Sequence, residues 1–339
     1  MSARPKPSRA TGRVTLAHVA ERAGVSPITV SRALRGVATV DAALAARVLA
    51  AVAELGYVPD SAARALASRT SAHVTVMVPL LTNALFIDLL DAAQSVFRAA
   101  GFEALIGVTH YDTAEEEQLL REQLAHRPAG LLITGTHHSA ATRRLLAASG
   151  VPCVRMMELG GDQDCVGFSQ RAAAAAMTRH LLARGRQRIA FVAAQLDPRT
   201  LQRREGWRGA LRRAGGWDAR LAFEDARASS MALGAELLQR VLREQPGVDA
   251  IFFCNDDLAQ GALLAALRLG LDVPARVAVA GFNDLPGSDQ MLPPLTTVRT
   301  PRRAIGEQAA QLLLRRIAGQ AGAPVRLDLG FELMLRGSA

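Results

Sequence analysis

Ser26-Pro27-Ile28-Thr29-Val30-Ser31-Arg32, set inside Val14–Tyr57, is the stretch whose reading decides the fold of this 339-residue chain. Upstream, Thr15 is a candidate N-cap, because its hydroxyl can accept from an amide of the first helical turn that has no partner within the helix. Leu16, Val19, Ala20 and Ala23 recur at helical spacing and form one apolar face. Gly24 ends this helix where a left-handed residue is needed, and Ser26 is placed to cap the next one. Pro27 falls at the first helical position, where its missing N–H costs nothing. Val30, Ala33 and Leu34 make the buried stripe of the second helix, which leaves Pro27, Ile28, Ser31, Arg32 and Arg35 facing outward. A third helix, capped by Asp41, offers Leu44, Val48, Leu49, Val52 and Leu55 as the support that such short helices require.

Three short helices with a tight glycine turn between the first two describe a helix-turn-helix, whose second helix enters a DNA major groove. Charge agrees. Residues 1–69 hold ten Lys/Arg against four Asp/Glu, a net +6, whereas the remaining 270 residues contribute only +3 of the total +9. Binding to a phosphate backbone places its cationic excess in this way. On the outward face Ile28 suits a thymine methyl, and Arg32 is the candidate for a guanine edge.

Beyond residue 73, short β-rich runs alternate with helical stretches. Expected strands are Val74–Val78, Ala104–Val108, Gly130–Ile133, Pro152–Met156, Arg188–Val192, Ala250–Cys254 and Arg276–Ala280, with helices such as Leu85–Ala100 and Leu201–Ala214 between them. This alternation specifies parallel sheets flanked by helices, and a switch near Val166–Gln170 divides them into two α/β lobes. In open α/β sheets ligands sit beyond the carboxyl ends of the strands. That rule picks out Asn83 and Phe86, Thr134 and Thr136, Glu158, Asp197 to Arg203, Asn255 and Asp256, and Asn283 and Asp284. Such a polar set with one aromatic suits a small polyol or sugar acid, although Asn and Asp also favour strand-to-helix loops for local reasons.

Other classes lack their signatures. No apolar run is long enough to span a membrane, and the basic N-terminus lacks the apolar segment of an export signal. Cys153, Cys165 and Cys254 show no Cys-x-x-Cys pairing, so reduced thiols in a cytoplasmic protein are expected. The chain has no Gly-rich phosphate loop, no nucleophile elbow and no His/Cys cluster, and adjacent His137 and His138 diverge on an extended segment. No catalytic residue, cofactor or metal is expected. A sugar-binding transport component remains an alternative that shares the lobes but not the basic headpiece.

Val14-Thr15-Leu16-Ala17-His18-Val19-Ala20, Gly24-Val25-Ser26, Thr29-Val30-Ser31-Arg32 and Leu55-Gly56-Tyr57-Val58-Pro59 resemble the DNA-binding headpiece of the lactose/galactose repressor (LacI-type) family. The resemblance continues to the C-terminus. It implies a ligand-controlled, homodimeric transcription factor that binds operator DNA, with a periplasmic-binding-protein-like effector domain whose chain crosses between lobes three times. The implied organisation is a basic arm at 1–13, the headpiece at 14–59 and a hinge helix at 60–72, which places Ala63 and Leu66 at the DNA and Leu66 as a minor-groove wedge. The first lobe would be 73–168 plus 298–324, and the second 169–297 plus 325–339.

For the effector, the resemblance matches Phe86 to an aromatic after the first strand, Arg203 to an arginine that grips hydroxyls or carboxylate, and Asn255 to an Asn-Asp loop. Asn283 stands where sugar-binding members carry an aspartate, Ser229 replaces a stacking aromatic, and Arg199 adds a second cation, with Thr136 completing the set. A buried carboxylate beside an anionic ligand costs several kcal/mol, roughly, so loss of the acid at 283 favours an acidic ligand. Glu158 is a counter-indication unless it turns away or finds a cationic partner. Cys165-Val166-Gly167-Phe168, Leu196-Asp197-Pro198-Arg199-Thr200 and Leu327-Asp328-Leu329-Gly330-Phe331 look like the gluconate-utilisation repressor branch. The expected effector is therefore gluconate, a keto-gluconate or 6-phosphogluconate acting as inducer. A neutral sugar or polyol, or corepression, are the alternatives.

Overall fold

In a computed structural model of the chain, residues 14–34, 37, 40–58, 71–81 and 84–339 are described. They form two compact units, divided at Ser71/Ala72.

The headpiece contains α1 (Leu16–Ala23), α2 (Pro27–Leu34) and α3 (Ala42–Leu55). Thr15 is the N-cap residue of α1, and the cap is closed from the third helical position: His18 Nδ1 accepts from the Thr15 amide at 3.0 Å. Gly24 takes left-handed backbone (φ 65°), the conformation that lets α1 stop and α2 begin three residues later. Ser26 Oγ accepts from the Thr29 amide, and Asp41 accepts from the amides of Ala43 and Leu44. Val19, Ala20, Ala23, Val30, Val48, Ala51 and Tyr57 make a small core of their own. Leu49 does not join it. The sequence places it on the supporting face of α3, but the buried positions are 48 and 51, with half-buried Val52 and Leu55 packed beside them, and Leu49 is left 55 % exposed.

The second unit has two lobes. The first contains β1 (His73–Val78), α4 (Ala84–Ala99), β2 (Glu103–Val108), α5 (Thr113–Ala125), β3 (Gly130–Thr134), α6 (Ala140–Ser149), β4 (Cys153–Met157) and β5 (Cys165–Gly167). The chain then enters the second lobe with α7 (Gln170–Ala183), β6 (Ile189–Ala194), α8 (Pro198–Arg213), β7 (Ala222–Asp225), α9 (Met231–Glu244), β8 (Ala250–Phe253), α10 (Asp256–Arg268) and β9 (Ala278–Ala280). It crosses back through β10 (Thr297–Arg299), adds α11 (Arg302–Ile317) and β11 (Arg326–Asp328) to the first lobe, and returns through β12 (Glu332–Met334). The sheets are parallel, ordered β11-β5-β4-β3-β1-β2 and β7-β6-β8-β9, and β10 and β12 pair antiparallel as a two-strand ribbon at the crossover.

All seven expected strands are present within two residues of their anticipated ends. The boundary expected at residue 325 moves. Arg326–Asp328 pairs with Cys165–Gly167 as the edge of the first lobe's sheet, so the last crossing falls after Asp328. The backbone ladder and Asp164, which accepts from the Val325 amide and pairs with Arg316, hold this three-residue strand. Neither leaves an apolar pattern that could be read from sequence.

Two features position the cleft. Helices α9 and α10 touch backbone to backbone, because a Cβ on Gly234 would come within 2.0 Å of the Leu258 carbonyl oxygen and one on Gly261 within 1.9 Å of that of Met231. An aromatic ladder runs through the second lobe, with ring centroids 6.3 Å apart for Phe168–Phe282, 6.5 Å for Phe282–Phe252, 5.4 Å for Phe252–Phe191 and 5.5 Å for Phe191–Trp207. The C-terminus locks onto the same lobe: Ser338 Oγ donates to the Val279 carbonyl and accepts from the Thr296 amide.

Candidate functional site

On the headpiece, Pro27, Arg32 and Ser26 are exposed, Ile28 is 65 % exposed, and Thr15, Thr29 and Ser31 are half-buried. Arg22 and Arg47 are engaged internally: Arg22 pairs with Glu54 at 2.7 Å, and Arg47 donates to the Ala23 carbonyl at the end of α1. Arg35, Ala63 and Leu66 lie outside the described residues.

In the second unit the first two turns of α8 are the common axis of the site. Asp197 caps the helix through the Arg199 amide, and Arg199 and Arg203, four residues apart, share one face. Both guanidiniums are buried. Arg199 donates to Asp197 at 3.2 Å and to the Tyr111 hydroxyl at 2.8 Å, and it lies 5.5 Å from the ring centres of both Phe86 and Tyr111. Arg203 donates to Gln170 at 2.9 Å, to the Cys254 carbonyl at 2.7 Å and to Asn255 Oδ1 at 2.8 Å, stacked over Phe282 at 3.9 Å. Asn255 in turn accepts from Asn283 Nδ2 at 3.2 Å and donates to Ser229, which bonds Asp257 at 2.7 Å. On the first-lobe side Thr136 donates to Glu158 at 2.7 Å, and Gln202 of α8 reaches the same carboxylate at 3.4 Å. Phe86 thus gathers at Arg199, Asn255, Asn283 and Ser229 at Arg203, and Thr136 through Glu158 at Gln202, three groups that meet on α8 at the carboxyl ends of the strands.

Electrostatics keep the site charged. Burial would raise the Asp197 carboxyl, but Arg199 and Arg203 outweigh it and hold the group below the usual carboxylate range. Burial opposes the charge on Arg199, and the neighbouring Tyr111, Asp197 and Glu158 more than restore it. Arg203 is shifted down by burial, yet a guanidinium does not lose its proton in a protein. Of the eight buried side-chain polar atoms without partners among the described residues, two lie at this site, Arg199 Nη1 and Asn283 Oδ1. Buried polar groups are nearly always satisfied, so orphans in a cleft mark what a ligand would satisfy.

Several expectations change. Asn283 replaces an acid, yet its Nδ2 is directed at Asn255, so the unpartnered atom there is an acceptor. Glu158 pairs with a threonine and a glutamine rather than an arginine. Asp256 and Asp284 are structural: Asp256 accepts from Thr297, Ser288 and the Leu285 amide, while Asp284 pairs with Arg299 and Arg336. His138 is buried against Glu116 and the Gly135 carbonyl, and among the described residues no three His, Cys, Asp or Glu side chains could hold a metal. Asn83 lies outside the described residues. Sequence reasoning missed Tyr111, Gln170 and Asp257 as neighbours of the site. Tyr111, one of two tyrosines in the chain, follows β2 directly, so the strand-end rule could have found it.

Asp256 carries a pH signature. Burial pushes its carboxyl up to about 6, whereas the unfolded chain titrates near 3.9. The native state therefore binds the proton more tightly, and this contribution to stability is present at low pH and lost as pH rises from about 4 to 6. The unfolding free energy of the wild type relative to Asp256→Asn should fall by about 2–3 kcal/mol over that window. A difference that stays level from pH 4 to 6.5 would refute the assignment.

Comparison with known proteins identifies the architecture. Residues 15–60 match the model of bacterial regulatory proteins of the lacI family, and residues 178–339 match a periplasmic binding protein-like domain. The HTH-type transcriptional regulator GntR of Pseudomonas aeruginosa is 57% identical over 335 residues, covering 98% of both chains.

The chain belongs to the LacI family.

This LacI-family protein is a DNA-binding transcriptional regulator. The GntR regulator of Escherichia coli K12 is 38% identical, covering 96% of this chain and 98% of that one. Among solved structures, the lac repressor dimer bound to operator and the anti-inducer ONPF superposes with a TM-score of 0.84 at 29% identity, over 96% of this chain and 99% of that chain. Transcription regulator GntR from Chromobacterium violaceum gives 0.77 at 51% identity, over 78% of this chain and 98% of that chain. No described helix is long and apolar enough to cross a membrane.

Proposed function

We propose that this regulator is a homodimeric repressor of sugar-acid metabolism genes, released from its operator when an aldonate such as gluconate, a keto-gluconate or 6-phosphogluconate binds between the lobes. The observation that carries the reading is the buried Arg199, whose Nη1 has no partner among the described residues, beside a second buried cation at Arg203 and an asparagine at 283. An anion in that place gains charge-assisted hydrogen bonds without facing a carboxylate at 283. The Cys165–Phe168 and Leu196–Thr200 stretches, which resemble gluconate-utilisation repressors, agree with that chemistry. So do the relatives named GntR and the 33% identical regulator IdnR of Escherichia coli.

Phe86, Tyr111, Thr136 and Glu158 come from the first lobe and Arg199, Arg203, Ser229, Asn255 and Asn283 from the second. A ligand held by both sets favours one lobe arrangement over another, and that differential affinity is what can be passed to the hinge at 60–72, to Ala63 and Leu66, and so to the grip of Arg32, Arg35 and the rest of the reading helix on DNA. Glu158 favours the second reading, a neutral polyol whose hydroxyls would donate to its carboxylate.

Calorimetry on the full chain separates the two: gluconate should bind and glucose should not. In a mobility-shift assay gluconate should release the operator fragment. Heat from glucose alone, or DNA retention tightened by gluconate, would reverse the effector or the sign respectively.

A further inference from the structure

Tyr111 lies in the turn between β2 and α5, immediately after His110, and both residues hold left-handed backbone, at φ 60° and 47°. Non-glycine residues cost energy there, and two in succession persist only where their surroundings hold them. Tyr111 is held by a contact across the cleft: its hydroxyl accepts from Arg199 Nη2 at 2.8 Å, and the guanidinium sits 5.5 Å from its ring centre. The tyrosine belongs to the first lobe and the arginine to the second.

Counting donors shows what the contact leaves over. Arg199 Nε is engaged by Asp197, Nη2 by Tyr111, and Nη1 is buried without a partner. Since the Tyr111 oxygen accepts from Nη2, its own proton remains to be donated, and no acceptor for it occurs among the described residues. Burial raises the phenol above its ordinary value, so that proton stays in place at neutral pH. It does not go to Asp197, whose oxygens accept from Arg199 and Thr200. Two unsatisfied donors, one charged, therefore sit side by side on opposite walls of the cleft. Elsewhere in the network the orphan is Asn283 Oδ1, an acceptor, which suits a ligand hydroxyl.

We propose that Arg199 Nη1 and the Tyr111 hydroxyl form a carboxylate fork spanning the two lobes, and that Tyr111 is a specificity-determining residue selecting a sugar acid over the alcohol of the same carbon chain. This rests on the aldonate reading of the cleft and names the end of the site that reads the acid. A carboxylate presents two acceptor oxygens and a full charge to the two donors. A terminal CH2OH brings one oxygen and no charge, and leaves a buried donor unpaired. Because each donor comes from a different lobe, the carboxylate also ties the lobes together.

The test is calorimetry on the full chain with gluconate and with glucitol, its six-carbon alcohol, for the wild type, Tyr111→Phe and Arg199→Lys. Phenylalanine keeps the ring against the guanidinium and removes only the hydroxyl, while lysine keeps the charge and loses the fork. The wild type should prefer gluconate. Each variant should weaken gluconate by roughly 10-fold or more while glucitol moves by less than about 3-fold, as expected for a hydrogen bond to a charged group. Selectivity is a ratio measured on one folded protein, so a change in stability alone does not alter it. Gluconate binding unmoved by Tyr111→Phe, or equal losses for both ligands, overturns the fork and leaves the aldonate reading standing. A wild type that binds glucitol as tightly as gluconate overturns both.

Discussion

Replacing Arg203 by alanine should abolish the response to effector and lower the unfolding free energy by about 3 kcal/mol or more. The side chain is 2 % exposed and its donors reach Gln170 on α7, the Cys254 carbonyl and Asn255 beyond β8. Alanine takes the guanidinium donor from the buried Gln170 and Cys254 oxygens, at about 1–3 kcal/mol each, leaves Asn255 Oδ1 with Asn283 alone, and strips the cover from Phe282. It also removes cationic support from Asp197, whose carboxyl is held low by both arginines. The response fails for a separate reason: Asn255 receives both Arg203 and Asn283, so losing the guanidinium frees the amide pair to turn. Arg203→Lys should fall between, since a single ammonium cannot span acceptors on three residues. Urea unfolding of the full chain and a mobility shift with graded gluconate read the two effects separately. An alanine variant with wild-type midpoint and wild-type release would show that Arg203 holds nothing together.

The second large effect is at a position with no polar chemistry. Gly261→Ala should destabilise the second lobe by about 3 kcal/mol, at the upper end of what overpacking usually costs. Its added carbon would sit 1.9 Å from the Met231 carbonyl oxygen, and backbone cannot swing aside as a side-chain tip does. Gly234 opposite is bound by the same contact, so Gly234→Ala should cost as much, and the double variant less than the sum once the helices have moved apart. Gly209→Ala in α8 is the control: only the tips of Arg213 come within 4 Å, at 3.8 Å, so helix propensity should make that change neutral or stabilising by up to about 1 kcal/mol. Thermal midpoints of the three variants decide it, and a Gly261→Ala protein melting with the wild type would mean that α9 and α10 are not in close contact.

Much of the molecule was legible in its residues. Gly24, Ser26, Pro27 and Asp41 act through one to three neighbouring peptide units, so punctuation alone marked the headpiece helices. The long apolar strands were legible for the same reason. The four-residue β7 and the three-residue β5, β10, β11 and β12 were not, because so few residues paired through backbone leave little periodicity, and β11 even displaced a lobe boundary. At the site, the strand-end rule found Phe86, Arg199, Arg203, Asn255 and Asn283 without separating them from Asp256 and Asp284, which turn inward to hold the lobe.

The order of residues by itself determined the helical, cationic head, the alternating α/β body and the presence of two arginines one helical turn apart, since each depends on short spacings along the chain. Only the folded chain decided that Asn283 presents an oxygen, that Glu158 finds hydroxyl and amide partners, and that Tyr111 reaches across to Arg199 from 88 residues away. Hydrogen-bond direction is set by which neighbour claims each proton first, and those neighbours meet only when the lobes are built.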